Sequence, residues 1–424
     1  MTAEGQQPAD QEPASAPLLT LRDGLPPVIG TSALVQSAAA SLAGGEGPVA
    51  VDAERASGHR YSQRAYLVQV RRAGAGTALL DPVPFGPVPN AALRPLMTAL
   101  GDEEWVFHAA SQDLPCLAEL GLRPRRLFDT ELAGRLLGYP RVGLAVLVEE
   151  VLGYAMRKEH SAVDWSRRPL PPPWLRYAAL DVEMLLELRT ALAEQLRVAD
   201  KDTWAQQEFA ALAGWQPGPR RPDPWRRTSG MHRVRTRAGL AVVRALWQAR
   251  DQVARRHDVT PTRILRDDAI TAAAAALTAG PRGHTLDAAA VRGVLEGIAG
   301  FTTTNGRRNA KAFTAAAAEA LRLAEDDLPP LKVPSLDPPP ARAWTTRFPE
   351  AAERLRACRA AVQAIAEEHT LPPENLLAPD AVRRLCWEPP EPATVEAVDA
   401  ALTGYGARPW QVALTASALA DCLG

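Results

Sequence analysis

Apolar positions along the first half of the chain fall into short runs separated by turn residues. "PVAVDAE" (48–54), "AYLVQVRR" (65–72) and "GTALLDPV" (76–83) are strand-like, and "WVFHAA" (105–110) predicts a further strand. In the first run a period of two sends Val49, Val51 and Ala53 to one face. Asp52 and Glu54 go to the other, so two carboxylates are forced close together. Behind "WVFHAA", "SQDLPCLAELG" predicts a helix with Ser111 as its N-cap. Helical spacing continues through "DTELAGRLLG", "LAVLVEEVLG" and "WLRYAALDVEMLLELRTALAEQL". Strands followed by amphipathic helices over residues 28–214 predict an α/β or α+β domain.

Beyond residue 214 the strand pattern stops. A stretch rich in proline, glycine and arginine, 215–237, reads as a basic linker, and alanine-rich helices occupy 238–326. A proline-stiffened linker covers 327–347, and a second helical block runs over 348–424. The two blocks are related: "HDVTPTRILRDDAI" (257–270) aligns without gaps on "HTLPPENLLAPDAV" (369–382), matching His257 with His369, Pro261 with Pro373, Leu265 with Leu377 and Asp268 with Asp380. Two copies of one small helical domain are predicted, with the matched residues explained by packing and helix termini. The polar, proline-bearing residues 1–27 read as a disordered leader.

Composition narrows the function classes. A net charge of -1 excludes a protein that is basic overall, so nucleic-acid binding has to rest on local patches. Four scattered cysteines without a CxxC pair argue against a zinc site or a disulfide framework and suit a reducing cytoplasm. No apolar run reaches bilayer length, so no membrane partner is expected.

Two further acids complete the pattern begun by Asp52 and Glu54. Asp113 follows the strand "WVFHAA" closely enough to lie at a sheet edge, and Asp181 sits four residues after Tyr177, on the same face of a helix. Four converging carboxylates repel one another but cage hard divalent cations. Two ions held about 3.5–4 Å apart are suited to phosphodiester hydrolysis. Each acid alone reads more simply as a solvated strand edge or a helix-terminus charge; their order along the chain decides between the readings.

On these residues the sequence resembles the ribonuclease D family of 3′-to-5′ exonucleases, within the larger Asp-Glu-Asp-Asp group. "VAVDAERASGHRYSQRAYLVQV", "VFHAASQDLPCL" and "YAALDVEMLLEL", with "DWSRRPL" ahead of the last, are similar to the family's motifs. One departure is Ala53, where the family often has threonine; alternation points it away from the acids, so no loss of metal binding is expected. The two helical blocks resemble tandem HRDC domains. The resemblance implies an α/β ribonuclease H-like exonuclease domain, a mixed sheet flanked by helices, followed by two all-α HRDC domains. It implies a metal-dependent 3′-5′ exoribonuclease releasing nucleoside 5′-monophosphates with two divalent cations, Mg²⁺ or Mn²⁺.

It also implies roles. Asp52 bridges both ions, Glu54 and Asp181 complete the shell of the water-activating ion, Asp113 holds the second ion through water, and Tyr177 orients the attacking water. Outside that set, His108 either touches the terminal nucleotide or is a satisfied strand-end histidine. Lys158 either meets a phosphate or is an ordinary surface lysine. The basic stretch holding Arg220, Arg226 and Arg227, with Trp225 among them, either tracks a nucleic-acid backbone and stacks on a base or is solvated linker charge. The expected partner is RNA with a free 3′ end, transfer RNA precursors foremost. A Werner-type DNA exonuclease and a non-catalytic nucleic-acid-binding protein are the competing readings, and a cytoplasmic monomer is expected.

Overall fold

The computed structural model of the chain describes residues 16–86, 91–157, 162–219, 221–280, 286–333 and 337–424; Lys158 and Arg220 lie outside the described residues. The first half alternates strands and helices: β1 (Val28–Ile29), α1 (Ser32–Ala43), β2 (Glu46–Arg55), β3 (Ala65–Ala73), β4 (Gly76–Leu80), α2 (Arg94–Leu100), β5 (Glu104–Phe107), α3 (Leu114–Glu119) and β6 (Arg126–Asp129). Five helices follow: α4 (Thr130–Leu136), α5 (Leu144–Leu152), α6 (Pro172–Glu183), α7 (Leu185–Val198) and α8 (Asp202–Ala213). The strands form one mixed sheet in the order β1-β4-β3-β2-β5-β6, antiparallel across β2–β3–β4 and parallel elsewhere.

The period of two in β2 sorts its side chains as the sequence predicts. Val49, Val51 and Ala53 enter the large core, whereas Ala50, on the face of the acids, packs with Val106 of β5 and with Val182 and Leu185 from α6 and α7. Helix α6 therefore lies across the acid-bearing face and contacts β2, β3 and β4. The apolar pattern from Trp174 onward predicts one helix, but the chain breaks at Met184 (φ −112°, ψ 6°), and this turn lets α6 and α7 follow the twisted sheet separately.

The first helical block comprises α9 (Arg237–His257), α10 (Pro261–Ile264), α11 (Asp267–Leu277), α12 (Ala288–Glu296), α13 (Thr304–Arg308) and α14 (Ala310–Leu321). The second comprises α15 (Trp344–Arg347), α16 (Pro349–Glu368), α17 (Pro373–Leu376), α18 (Pro379–Trp387), α19 (Val395–Gly404) and α20 (Pro409–Leu423). Their internal match extends to the backbone. Asp258 and Thr370 hold positive φ of 48° and 51°, and Leu265 and Leu377 end their short helices extended at φ −156° and −151°. Asp268 and Asp380 both occupy the first turn of a helix, where the dipole favours a carboxylate.

Neither block hangs free on its linker. The second shares the large core with the sheet domain, and Trp204 of α8 stacks on Trp410 at 4.8 Å. Gly138, at φ +80°, makes room for this docking, since a Cβ there would lie 2.6 Å from the Thr370 carbonyl oxygen. The first block is tied to the β2–β3 loop: Asp258 accepts from the Ser62 N–H at 2.8 Å and the Tyr66 hydroxyl at 3.1 Å, while the Tyr61 hydroxyl donates to Asp251 at 2.9 Å.

Three expectations are corrected. Residues 16–27 do not continue a disordered leader: Leu19 is buried, its N–H donates to the Ala155 carbonyl at 2.8 Å, and Arg22 pairs with Glu187 at 2.6 Å. Trp225 is not available to stack on a base, because it is 2% exposed in the core of the first block and its Nε1–H donates to Asp223. Ser111 is not the cap of α3; it lies in a 3₁₀ turn (Ala110–Gln112), and Asp113 occupies the N-cap position.

Candidate active site

Asp52 and Glu54 on β2 meet Asp181 on α6 because α6 crosses the face to which both strand acids point. One carboxylate oxygen from each of the three lies within 4.8 Å of the others. Asp113, 5% exposed, joins them in lining a pocket of about 560 Å³, together with Tyr177 and His108. The structure thus brings together all five residues expected to be catalytic. Asp113 stands apart from the tight trio.

The electrostatics are those of an anionic cluster held out of water. Burial pushes the Asp52 carboxyl up to about 6, against the opposing pull of the Ala53 N–H and the Arg55 guanidinium. Glu54, Asp113 and Asp181 are also raised, first by burial and then by the neighbouring carboxylates. The Tyr177 phenol is raised as well, by burial and then by the charges of Asp181, Glu54 and Asp52, and it hydrogen-bonds Asp181. It keeps its proton at neutral pH and serves as a donor rather than a base.

The donor set suits a hard divalent cation. The clustered groups offer only carboxylate oxygens, the ligand type of Mg²⁺ and Mn²⁺, and a cation relieves the mutual repulsion that raises their pKa values. Gln69, in register with Asp52 across the β2–β3 pair, is fully buried, and its amide atoms have no hydrogen-bond partner among the described residues. This buried amide adds unmet polar demand on the acid-bearing side of the sheet.

The loop that presents Asp113 is held by a residue the sequence analysis did not single out. Ala109 adopts a left-handed conformation (φ 63°), uncommon for a residue with a Cβ. The Asp129 carboxylate, 3% exposed, accepts from the N–H groups of Ala109 and Ala110 at 3.0 and 2.8 Å and caps α4 through Glu131 and Leu132 at 2.9 and 3.2 Å. The sequence signal was the Asp-Thr pair at the end of an apolar run, a helix-start signature. Arg55, the cation nearest the acids in chain order, was also missed; it donates to Gln112 at 3.5 Å.

His108 has a defined proton. The Thr130 hydroxyl donates to the Phe107 carbonyl at 3.0 Å, so its oxygen accepts from His108 Nδ1 at 2.9 Å, and Nε2 is left as an acceptor on a ring that lines the pocket. Burial lowers His108 to about 4, which keeps the ring neutral. Of the basic stretch, Arg226 pairs with Asp223 at 3.1 Å and donates to the Pro330 carbonyl at 2.9 Å, a structural role, while Arg227 is exposed.

Comparison with known proteins agrees with this geometry. Residues 27–197 match the family model described as 3′-5′ exonuclease, 239–281 the HRDC domain, and 337–423 the 3′ to 5′ exonuclease C-terminal domain. Only the first helical block is therefore matched as HRDC. The chain is 32% identical over 309 residues to ribonuclease D of Gluconacetobacter diazotrophicus, covering 71% of this chain and 72% of the relative. It is 29% identical over 347 residues to ribonuclease D of Granulibacter bethesdensis, covering 80% and 81%. A crystal structure of a protein from Bifidobacterium adolescentis superposes with a TM-score of 0.84 at 37% identity, covering 96% of this chain and all of that one. Escherichia coli RNase D has the same fold, with a TM-score of 0.67 at 23% identity over 94% and 98% of the two chains. With a 3′-5′ exonuclease domain carrying four converging acids, followed by an HRDC domain and an exonuclease C-terminal domain, the chain is a nuclease that belongs to the ribonuclease D family.

Proposed function

We propose that the protein is a 3′-to-5′ exoribonuclease that removes nucleoside 5′-monophosphates one at a time from RNA, with transfer RNA precursors as the expected physiological class. The observation that carries this reading is the convergence of Asp52, Glu54 and Asp181 beside Asp113 and Tyr177 in one pocket. Two bound divalent cations, Mg²⁺ or Mn²⁺, supply acidification of water and neutralisation of phosphate charge. Asp52 would be shared between the two, Glu54 and Asp181 would complete the ligands of one, and Asp113, set apart from that trio, would serve the other.

The remaining residues position. Tyr177, held protonated and bonded to Asp181, orients the attacking water in line with the leaving 3′ oxygen. His108 offers Nε2 to a hydroxyl of the terminal ribose. Arg227 and Lys158 supply phosphate contacts. The matched backbone of the two helical blocks supports their origin as copies of one module, both HRDC-like. The described residues contain no helix long and apolar enough to cross a membrane, and we place the enzyme in the cytoplasm as a monomer.

The test presents matched RNA and DNA oligonucleotides of one sequence to the purified protein with Mn²⁺. Faster shortening of the RNA supports the reading, and equal or faster shortening of the DNA would replace it with a DNA exonuclease.

A further inference from the structure

Arg55 is the one permanent cation among the described residues that line the catalytic pocket, and it stands to one side of the acids. In the sheet β2 lies between β3 and β5, and the two walls of the site rise on opposite sides of it. Helix α6, with Tyr177 and Asp181, packs over β2, β3 and β4. The loop that bears Asp113 leaves β5, on the other side. Arg55 is the last residue of β2 and turns toward this second wall, where its Nη2 donates to Oε1 of Gln112, the residue before Asp113. Its charge draws down the carboxyls of Asp52, Glu54 and Asp113; Asp181 is not among them.

The fold makes little use of this guanidinium. Arg55 is partly exposed, and its one side-chain hydrogen bond among the described residues is the long contact to Gln112, at 3.5 Å. Four carboxylates and two divalent cations cancel, and Glu131, the fifth acid lining the pocket, is paired with Arg135 at 2.7 Å. The charge of Arg55 is then surplus. Beside a phosphodiester-cleaving site, a surplus guanidinium with parallel N–H donors suits a phosphate.

In-line displacement fixes which phosphate. On the exonuclease reading the attacking water stands with Tyr177 at the α6 wall, so the leaving 3′ oxygen and its nucleotide lie toward the opposite wall, that of Asp113 and Arg55. The oxygens of the scissile phosphate belong to the ions. The next anion on that side is the phosphate one linkage further toward the 5′ end.

We infer that Arg55 binds the phosphate on the 5′ side of the nucleotide that carries the leaving 3′ oxygen. The inference rests on the exonuclease reading above. The contact holds the strand one nucleotide beyond the bond that breaks, so a dinucleotide without a 5′ phosphate is a poorer substrate than a trinucleotide.

The test measures release of the first 3′ nucleotide from an RNA tetranucleotide by full-length protein with saturating Mn²⁺, as wild type, Arg55→Ala and Arg55→Lys. One substrate carries phosphate throughout, and two others carry a neutral methylphosphonate at the second or the third linkage from the 3′ end. For wild type, neutralising the second linkage lowers kcat/KM about tenfold, the scale of one charge-assisted hydrogen bond, and neutralising the third lowers it far less. Arg55→Ala lowers kcat/KM on ordinary RNA by a similar factor. The second-linkage substitution then adds little, because the contact is already gone. Arg55→Lys keeps the charge and part of the sensitivity, and it carries the same comparison if truncation at the end of β2 disturbs the acids. Losses from the variants and from the second-linkage substitution that multiply independently would overturn this contact alone, as would no loss from either while wild type releases nucleotides. A wild type that releases no nucleotide from any of the three substrates would overturn the exonuclease reading and the contact with it.

Discussion

Asp52 and Glu54 are placed by alternation alone: with Val51 and Ala53 committed to the core, the acids have one face left to occupy. This position costs stability. A carboxyl raised in the folded state holds its proton to higher pH than in the unfolded chain. The folded state is therefore favoured below about pH 4, and that advantage is lost as pH rises through about 6, the value to which Asp52 is pushed. In chelator, thermal melts of wild type minus Asp52→Asn should reveal a penalty growing across that window, to which Asp52 itself contributes about 3 kcal/mol and the relief of Glu54, Asp113 and Asp181 adds. Added Mn²⁺ should stabilise the wild type and not the variant. The acids were legible in the sequence because carboxylates on an apolar strand stand out. Arg55 and Gln69 were not, since their importance depends on strand register and on what covers them.

Among the elements, the loop between β5 and α3 decides where Asp113 stands, and the Asp129 carboxylate at the end of β6 holds that loop through two of its four N–H contacts. Asp129→Ala leaves buried donors without an acceptor and removes a helix cap, which should cost about 3 kcal/mol by urea unfolding. Asp129→Asn should recover only part, because its amide nitrogen cannot accept. A loss below 1 kcal/mol, the low end for one buried donor, would contradict this role. Strands and helix faces were readable from periodicity. The break at Met184 and the left-handed Ala109 were not, because both follow from tertiary packing rather than from local preference.

At the scale of the whole molecule, the linkers suggested by composition do not separate independent bodies. Trp225 and Trp344 turn proline-rich segments into parts of two cores, and Asp258 clasps the first helical block to the loop that leaves β2. Proline and arginine content announced a change of domain but carried no information about docking. Asp258→Ala removes two hydrogen bonds across this contact, worth about 2 kcal/mol. Hydrogen exchange at residues 57–66 should then accelerate while the sheet core stays protected; unchanged exchange there would show that apolar packing around Tyr61 suffices.

The central claim is that the acids gathered on β2, α6 and the loop before α3 hold metal ions that cleave RNA from its 3′ end. The most direct measurement follows 5′-labelled RNA by gel and its released products by mass spectrometry, for wild type and Asp181→Asn, with Mg²⁺, Mn²⁺ or chelator. The account predicts stepwise 3′ shortening with nucleoside 5′-monophosphates only when metal is present, and a loss of at least about 100-fold in the variant. Shortening that persists in chelator or in Asp181→Asn, or products bearing a 3′ phosphate, would contradict it.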